Sequence, residues 1–318
     1  MPSDSPSVLI VRLDAIGDAV TLVPLVAALR SRAGRIGALL RPQNADVFAR
    51  GALDRRHVAG PNLRALAAEI EARRYDVALV ATEKPEGYRV AKAARIRRRI
   101  GFENGWGKPL KTLWVRRMCT STVFRTAGLD PRAPHECEVL FELARSVVGG
   151  AVPSHDPAVL RPILLDEPVE PDARIAFQIT DKWVRLGARL EDVAALARRL
   201  NGMPVRWIAA ESERRFAQRF AVQTGVTAEY FERIAPWKAA LAAARAVVAP
   251  DSGAVHIAGM AGTPVVAVYA YAGFTLQSSR WAPWASASSL VRLERGWPEA
   301  AFDGLQALLS GSSSSYTG

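Results

Sequence analysis

The chain has 318 residues, of which 49% are apolar, with 23 glycines and 20 prolines. That suffices for one large or two medium α/β domains and excludes a disordered or fibrous chain. Formal net charge is +11, from 42 Lys and Arg against 31 Asp and Glu, which favours polyanionic partners: nucleic acid, phosphorylated lipid or an anionic membrane surface. An Arg-rich composition also follows from a GC-rich genome, so charge alone does not choose among these. Two cysteines, Cys119 and Cys137, exclude a disulfide framework and fit a reducing compartment. The histidines, His57, His135, His155 and His256, have no metal-ligand spacing, so no metal site is expected. No apolar run reaches transmembrane length, and residues 1–7 lack the regions of a signal peptide, so a cytoplasmic protein is expected.

Residues 7–13 read as a buried strand, followed by a tight loop, Asp14-Ala15-Ile16-Gly17-Asp18, and a helix over 19–32 with Pro24 in its early part. This is the β-loop-α opening of a Rossmann-like domain, with one glycine where a dinucleotide fingerprint needs three. Asp18 would sit at the carboxyl edge of the sheet, where open α/β domains place ligands. It also reads as a carboxylate that caps a helix. The rhythm continues with strands at 36–41, 75–81 and 99–102 and helices at 63–73 and 91–95. Between Arg89 and Arg125 the chain is strongly basic, with Trp106, Trp114 and Phe124 interleaved. Such a segment suits nucleic acid, phosphorylated sugar or lipid head groups, or a plain solvated face. A helix over 135–148 closes this half.

Residues 149–172 are rich in Gly, Pro and Asp without periodicity, and the domain boundary is placed there. The expected division is an N-terminal domain over 1–150, a linker over 151–172, a C-terminal domain over 173–309 and a disordered Ser-rich tail over 310–318. The second half repeats the α/β pattern: strands at 174–179, 205–210, 245–249, 265–269 and 289–293, and helices at 190–200, 213–224, 237–244 and 298–309. Thr180-Asp181-Lys182-Trp183 and Arg280-Trp281-Ala282-Pro283 read as loops. After the apolar run at 245–249, Pro250 stops the strand, and Asp251, Ser252 and Gly253 form a capping turn into a short apolar helix ended by Gly262. The N–H groups at such a helix start make a ready phosphate site. An ordinary βα turn, with Asp251 as its cap, fits the same residues. His256 either faces that site or packs.

Two motifs in two halves point to a family. They are Ile10-Val-Arg-Leu-Asp-Ala-Ile-Gly-Asp-Ala-Val-Thr-Leu-Val-Pro24 and Val248-Ala-Pro-Asp-Ser-Gly-Ala-Val-His-Ile-Ala-Gly-Met-Ala-Gly-Thr-Pro264. Together they resemble the ADP-heptose:lipopolysaccharide heptosyltransferases of glycosyltransferase family 9, and His135-Glu136-Cys137-Glu138 is similar to the His-Glu helix start of that family. The resemblance implies an α/β protein of GT-B fold, two Rossmann-like domains with parallel sheets facing across a cleft. It implies an inverting transfer of heptose from ADP-heptose to a phosphorylated, Kdo-bearing lipopolysaccharide inner core at the cytoplasmic face of the inner membrane.

In that scheme Asp18 is the general base that takes the proton of the acceptor hydroxyl. Asp251, Ser252 and Gly253 bind the diphosphate, Lys182 contacts phosphate and Glu213 holds the ribose, with Glu211 close enough to compete. His256 supports the loop. Asp14, Arg97, Arg98, Lys108 and Lys111 meet the anionic acceptor, and Trp106 and Trp114 sit at the membrane interface, stack on sugar or pack in the core. Asp14 stands where family members often carry Ser or Thr, so it either assists or competes as the base. The scheme needs no cofactor and no metal: no Asp-x-Asp motif occurs in either loop. Two other readings remain at this stage. One is a family 9 transferase using another nucleotide sugar or a protein acceptor. The other is a basic nucleic-acid-binding protein, against which the paired loops argue because nucleic-acid binding needs neither of them.

Overall fold

The computed structural model describes residues 5–125 and 133–311. It contains two six-stranded parallel sheets. The first is formed by β1 (Ser7–Arg12), β2 (Arg35–Leu40), β3 (Arg55–Val58), β4 (Val77–Val80), β5 (Arg98–Glu103) and β6 (Ser121–Phe124), in the order β3-β2-β1-β4-β5-β6. The second is formed by β7 (Asp172–Gln178), β8 (Val205–Ala210), β9 (Glu229–Phe231), β10 (Ala244–Pro250), β11 (Val265–Tyr269) and β12 (Ser288–Arg292), in the order β12-β11-β10-β7-β8-β9. Counted from its own first strand, each sheet has the same doubly wound order. The strand order reverses between β1 and β4 in one and between β7 and β10 in the other, and ligands bind beyond the carboxyl ends of strands at such switch points. The parallel α/β architecture is the one expected from the sequence.

The chain divides into two compact units, one of Met1–Ser154 with Pro162–Leu164 and one of His155–Arg161 with Leu165–Gly318. In the first, Leu9, Val11, Leu39, Ala78 and Val80 from the central strands pack under Ile70, Val90 and Val115 from the helices. In the second, Phe177 stacks on Trp183 at 5.8 Å and Trp183 on Trp297 at 5.5 Å, all three in the apolar core. Central strands buried on both faces read as continuous apolar runs, and for that reason these were legible in the sequence.

Several elements depart from expectation. The strands β3, β6 and β9 lie at sheet edges and are only four, four and three residues long. Their half-exposed, polar composition (Arg-Arg-His-Val in β3) gives no apolar run to detect. The helix expected over 91–95 runs instead from Pro85 to Ala93, with Pro85 in its first turn, and ends before Arg95, which has φ of 52°. The basic segment forms a helix, Pro109–Met118. The boundary region contains the helix Pro157–Leu164, started by an Asp156 side chain that accepts the Ala158 N–H; Phe274–Arg280 is a helix where no element is expected, and the expected loop 180–183 runs into a one-turn helix, Lys182–Arg185. The long helix expected over 19–32 is two short ones, Ile16–Val20 and Val23–Leu29, because Pro24 cannot donate to a preceding turn. The expected disordered tail lies, from residue 312 on, outside the described residues. No helix among the described residues is long and apolar enough to cross a membrane.

Candidate active site

The base loop of the N-terminal unit is organised by Arg12, the last residue of β1. Its side chain is almost fully buried inside an apolar strand, so its charge must be met internally. The guanidinium donates to Asp18 Oδ1 at 2.9 Å, to Glu136 Oε1 at 3.1 Å and to the Asp18 carbonyl at 3.1 Å, and it also donates to the Ala81 carbonyl. Burial works against the Arg12 cation, but Glu136, Asp18 and Asp14 together outweigh it and hold the charge in place. Asp18 is in the third position of the helix Ile16–Val20 rather than in a loop, and its Oδ2 accepts the Ala15 N–H at 2.9 Å. It is thus both a helix-capping carboxylate and an oriented one, with about a quarter of its side chain open to solvent. Its two oxygens still keep lone pairs free for a ligand hydroxyl.

Asp14 lies beside it in a different environment. Its Oδ2 is buried without a hydrogen bond, 3.8 Å from Arg12 Nε. Burial pushes its carboxyl above the usual range, with Arg12 and Thr82 countering. The loop backbone is tied down by Asn44, whose side-chain amide donates to the Asp14 carbonyl at 2.9 Å.

Alternating charges run outward from Arg12. Glu136, fully buried at the start of the helix Glu136–Val148, pairs with Arg125 at 2.6 Å. Arg125 reaches Glu83 at 3.2 Å, and Glu83 pairs with Lys111. His135 accepts the Cys137 N–H through Nδ1 at 3.1 Å while Glu138 accepts the His135 N–H at 2.8 Å, a capping box that seats Glu136. Lys111 therefore joins the base loop through this chain of ion pairs. Lys108 is exposed ahead of the same helix. Arg97 and Arg98 do not join it. Parallel register sets Arg98 beside Val77 and Val77 beside Val8, at the start of β1, whereas Asp14 lies just past its end. Six residues of strand separate them by about 20 Å, so the grouping of Arg97 and Arg98 with Asp14 is corrected. Trp114 packs edge-on against Tyr88 at 5.3 Å, whereas Trp106 stands in solvent. A pocket of about 230 Å³ opens next to Leu13, with Arg41, Gln43, Lys84 and Glu86 on its walls. None of these four had been singled out, since they are scattered in sequence.

In the C-terminal unit the turn after β10 carries Asp251, Ser252 and the start of the helix Gly253–Ala261. Ser252 is the N-cap in extended conformation, yet its hydroxyl caps nothing: Oγ is buried and has no hydrogen-bond partner. The first N–H groups of any helix also lack intrahelical partners. Donors are therefore gathered here without an acceptor. The helix is held close by Gly259, where a Cβ would come within 2.8 Å of Pro283, and it ends at Gly262 with φ of 77°, a left-handed cap that suits glycine.

Lys182 approaches the same turn. It follows β7 at the switch point, and its charge is one of those felt by His256. It makes no ion pair among the described residues. Three hydrogen bonds place it: Trp183, fully buried, donates from Nε1 to the Gln178 carbonyl at 2.9 Å, and Glu213 accepts from the Thr180 hydroxyl at 2.7 Å and from the Asp181 N–H at 3.0 Å. Glu213 thus pins the loop that presents Lys182. Glu211 instead pairs with Arg214 at 2.6 Å on the surface, so of the two acids only Glu213 joins the site. His256 is buried within the helix, its ring 5.9 Å from that of Trp281. Burial lowers its pKa from 6.5 to about 4, with Asp251 opposing and Lys182 reinforcing, so it is neutral and packed behind the turn. Among the described residues, no group of three His, Cys, Asp or Glu side chains is placed to hold a metal ion.

The sequence assigned no site role to Arg12, Glu136, Arg125 or Glu83, although Glu136 lies in the His135-Glu136 motif and Arg125 in the basic segment. A signal for the first was present, since an arginine inside an otherwise apolar strand requires buried partners.

Comparison with known proteins bears on the fold and on the C-terminal turn. Residues 232–307, which include the Asp251-Ser252-Gly253 turn, match the model of glycosyltransferase family 9 (heptosyltransferase). No curated protein matches the sequence. Among solved structures, a glycosyl transferase family 9 protein from Veillonella parvula is similar over 98% of this chain and 99% of its own, at 15% identity and a TM-score of 0.77. The ADP-heptose lps heptosyltransferase II of E. coli is similar over 96% of this chain and 99% of its own, at 17% identity and a TM-score of 0.71. The E. coli heptosyltransferase WaaC, solved with ADP, has the same coverage and TM-score at 18% identity. At these identities the structures speak for the fold, and the family model speaks for the C-terminal segment. A family 9 model thus matches the segment that holds the phosphate turn, and heptosyltransferase structures share the fold over nearly the whole chain.

Proposed function

We propose that the protein moves a heptose from ADP-heptose, with inversion, to a phosphorylated Kdo/heptose lipopolysaccharide inner core presented at a membrane surface. The observation that carries this reading is the Ser252 hydroxyl, buried and unpaired at the N-terminus of a helix whose His256 feels the charge of Lys182. A diphosphate supplies the acceptor oxygens that these donors lack. The ADP found in the E. coli WaaC structure supports the choice of nucleotide.

In the reaction, the acceptor hydroxyl attacks the anomeric carbon while Asp18 takes its proton. The bond from that carbon to the diphosphate breaks with its electron pair on ADP. The N–H groups at Gly253 and Ala254, the Ser252 hydroxyl and Lys182 meet the negative charge that grows on the leaving group. Arg12 keeps Asp18 oriented for proton transfer. Asp14, less exposed than Asp18 and with Oδ2 buried, is the weaker candidate for the base. Glu213 keeps lone pairs for the ribose hydroxyls while it holds the Lys182 loop. Lys111 and Lys108 receive the acceptor's anionic groups.

Calorimetric titration of the wild type and of Lys182→Ala with ADP, UDP, GDP and ADP-heptose tests the donor assignment. ADP-selective binding that weakens in the variant supports it. A preference for UDP or GDP, or no binding at all, overturns it.

A further inference from the structure

One surface of the N-terminal unit belongs to neither loop. Trp106, on the turn Gly105–Gly107, is 95% exposed, and Leu110 and Leu113, on the helix Pro109–Met118, are 84% and 54% exposed. Phe124, at the end of β6, is 65% exposed, and its ring lies against Gly105, next to Trp106. Single exposed apolar residues are ordinary, but four large ones on adjoining elements are not.

The patch is built rather than frayed. The Thr112 hydroxyl donates to the Gly105 carbonyl at 3.0 Å and accepts the Asn104 N–H at 3.2 Å, tying the turn to the helix. The Asn104 side chain donates to the Arg125 carbonyl at 2.8 Å, tying the same turn to the end of β6. The helix buries Thr112 and Val115 and turns Leu110 and Leu113, three residues apart, outward. Its rim is basic. Lys108 precedes it, Arg116 and Arg117 sit in its last turn, and Lys92 of the helix Pro85–Ala93 donates to the Arg117 carbonyl at 3.0 Å. Arg116 alone of these is neutralised, by Glu103 at 2.6 Å.

We propose that this face docks on an anionic lipid bilayer, with Trp106, Leu110, Leu113 and Phe124 entering the headgroup boundary and Lys92, Lys108 and Arg117 meeting lipid phosphates. An apolar tip within a cationic rim supplies the two signals that stable peripheral binding needs, and tryptophan is enriched at that depth of the membrane. The assignment deepens the lipid-acceptor reading and rests on it for its purpose, because a lipid-borne acceptor must be met at its own surface.

The test is cosedimentation of the full chain with vesicles of phosphatidylcholine alone and of phosphatidylcholine mixed with phosphatidylglycerol. The wild type is expected to bind the mixed vesicles and to be released by salt. The double variant Leu110→Asp/Leu113→Asp should bind at least about tenfold more weakly, and Arg117→Glu should weaken binding by less. Titration of the double variant with ADP, unchanged from wild type, shows that the chain remains folded. Absence of wild-type binding to mixed vesicles, or equal binding by the double variant, overturns the proposal. So does a wild-type dimer in sedimentation velocity that the double variant converts to monomer, since the face would then belong to a second copy. Vesicle binding by a wild type that binds no nucleotide supports this face and sinks the transferase reading instead.

Discussion

The two switch-point loops use charge in opposite ways. Around Asp18 the protein supplies its own counter-charges: Arg12, Glu136, Arg125, Glu83 and Lys111 form a chain in which every link is internal. Around Ser252 donors are left open, with the hydroxyl buried and unpaired and Lys182 without an ion pair among the described residues. The difference follows from their tasks. A base must be held in one orientation before its substrate arrives, so its neighbours are built in. A leaving-group site must gain its stabilisation when the charge develops, so its donors are preorganised and left open.

The largest expected effect falls on the base. Asp18→Asn should lower kcat by about 10²–10⁴ while leaving ADP affinity unchanged, whereas Asp14→Asn should cost much less. Rates of ADP release with ADP-heptose and acceptor measure both, and a greater loss for Asp14→Asn would transfer the role. The internal charge chain predicts a stability effect of similar size. Arg12→Met leaves Glu136 buried with Arg125 as its remaining partner, and should cost about 3–5 kcal/mol in urea unfolding. A cost under about 1 kcal/mol would mean that the chain is loosely held.

The phosphate turn can be probed by pH. Because burial lowers the pKa of His256 from 6.5 to about 4, the unfolded state binds its proton first. The contribution of neutral His256 is therefore complete above pH 6.5 and is lost as pH falls toward 4, on the order of 3 kcal/mol in all. Denaturation of wild type and His256→Gln across that window should show the slope reduced in the variant. An unchanged slope would show that other groups carry it.

Smaller effects separate contact from support within the C-terminal site. Lys182→Ala should weaken ADP binding by about 10- to 100-fold, as for a charged donor to phosphate. Thr180→Val, which removes one bond from the loop that presents Lys182, should weaken it only about fivefold. Equal losses in the two would make Lys182 a loop residue rather than a phosphate ligand.

Much of this protein was written in local patterns. The apolar runs of β1, β4, β7, β10 and β11 announced central parallel strands, because burial on both faces leaves no room for alternation. The helix starts at Asp18 and at the Asp251-Ser252-Gly253 turn were legible because the residue after a strand and the cap of a helix are chosen by backbone chemistry within a few positions. The edge strands β3, β6 and β9 and the helix Pro109–Met118 stayed hidden, since their short or half-polar faces leave no apolar run to detect. Tertiary structure alone decided which distant charges meet. Glu136 is 124 residues from Arg12 yet shares its guanidinium, while Arg97 and Arg98, inside the basic segment, are carried by parallel register to the far edge of the sheet. Local sequence specifies where a chain turns and what caps it. Pairing between remote side chains depends on strand order and register, which emerge only when the whole sheet is assembled.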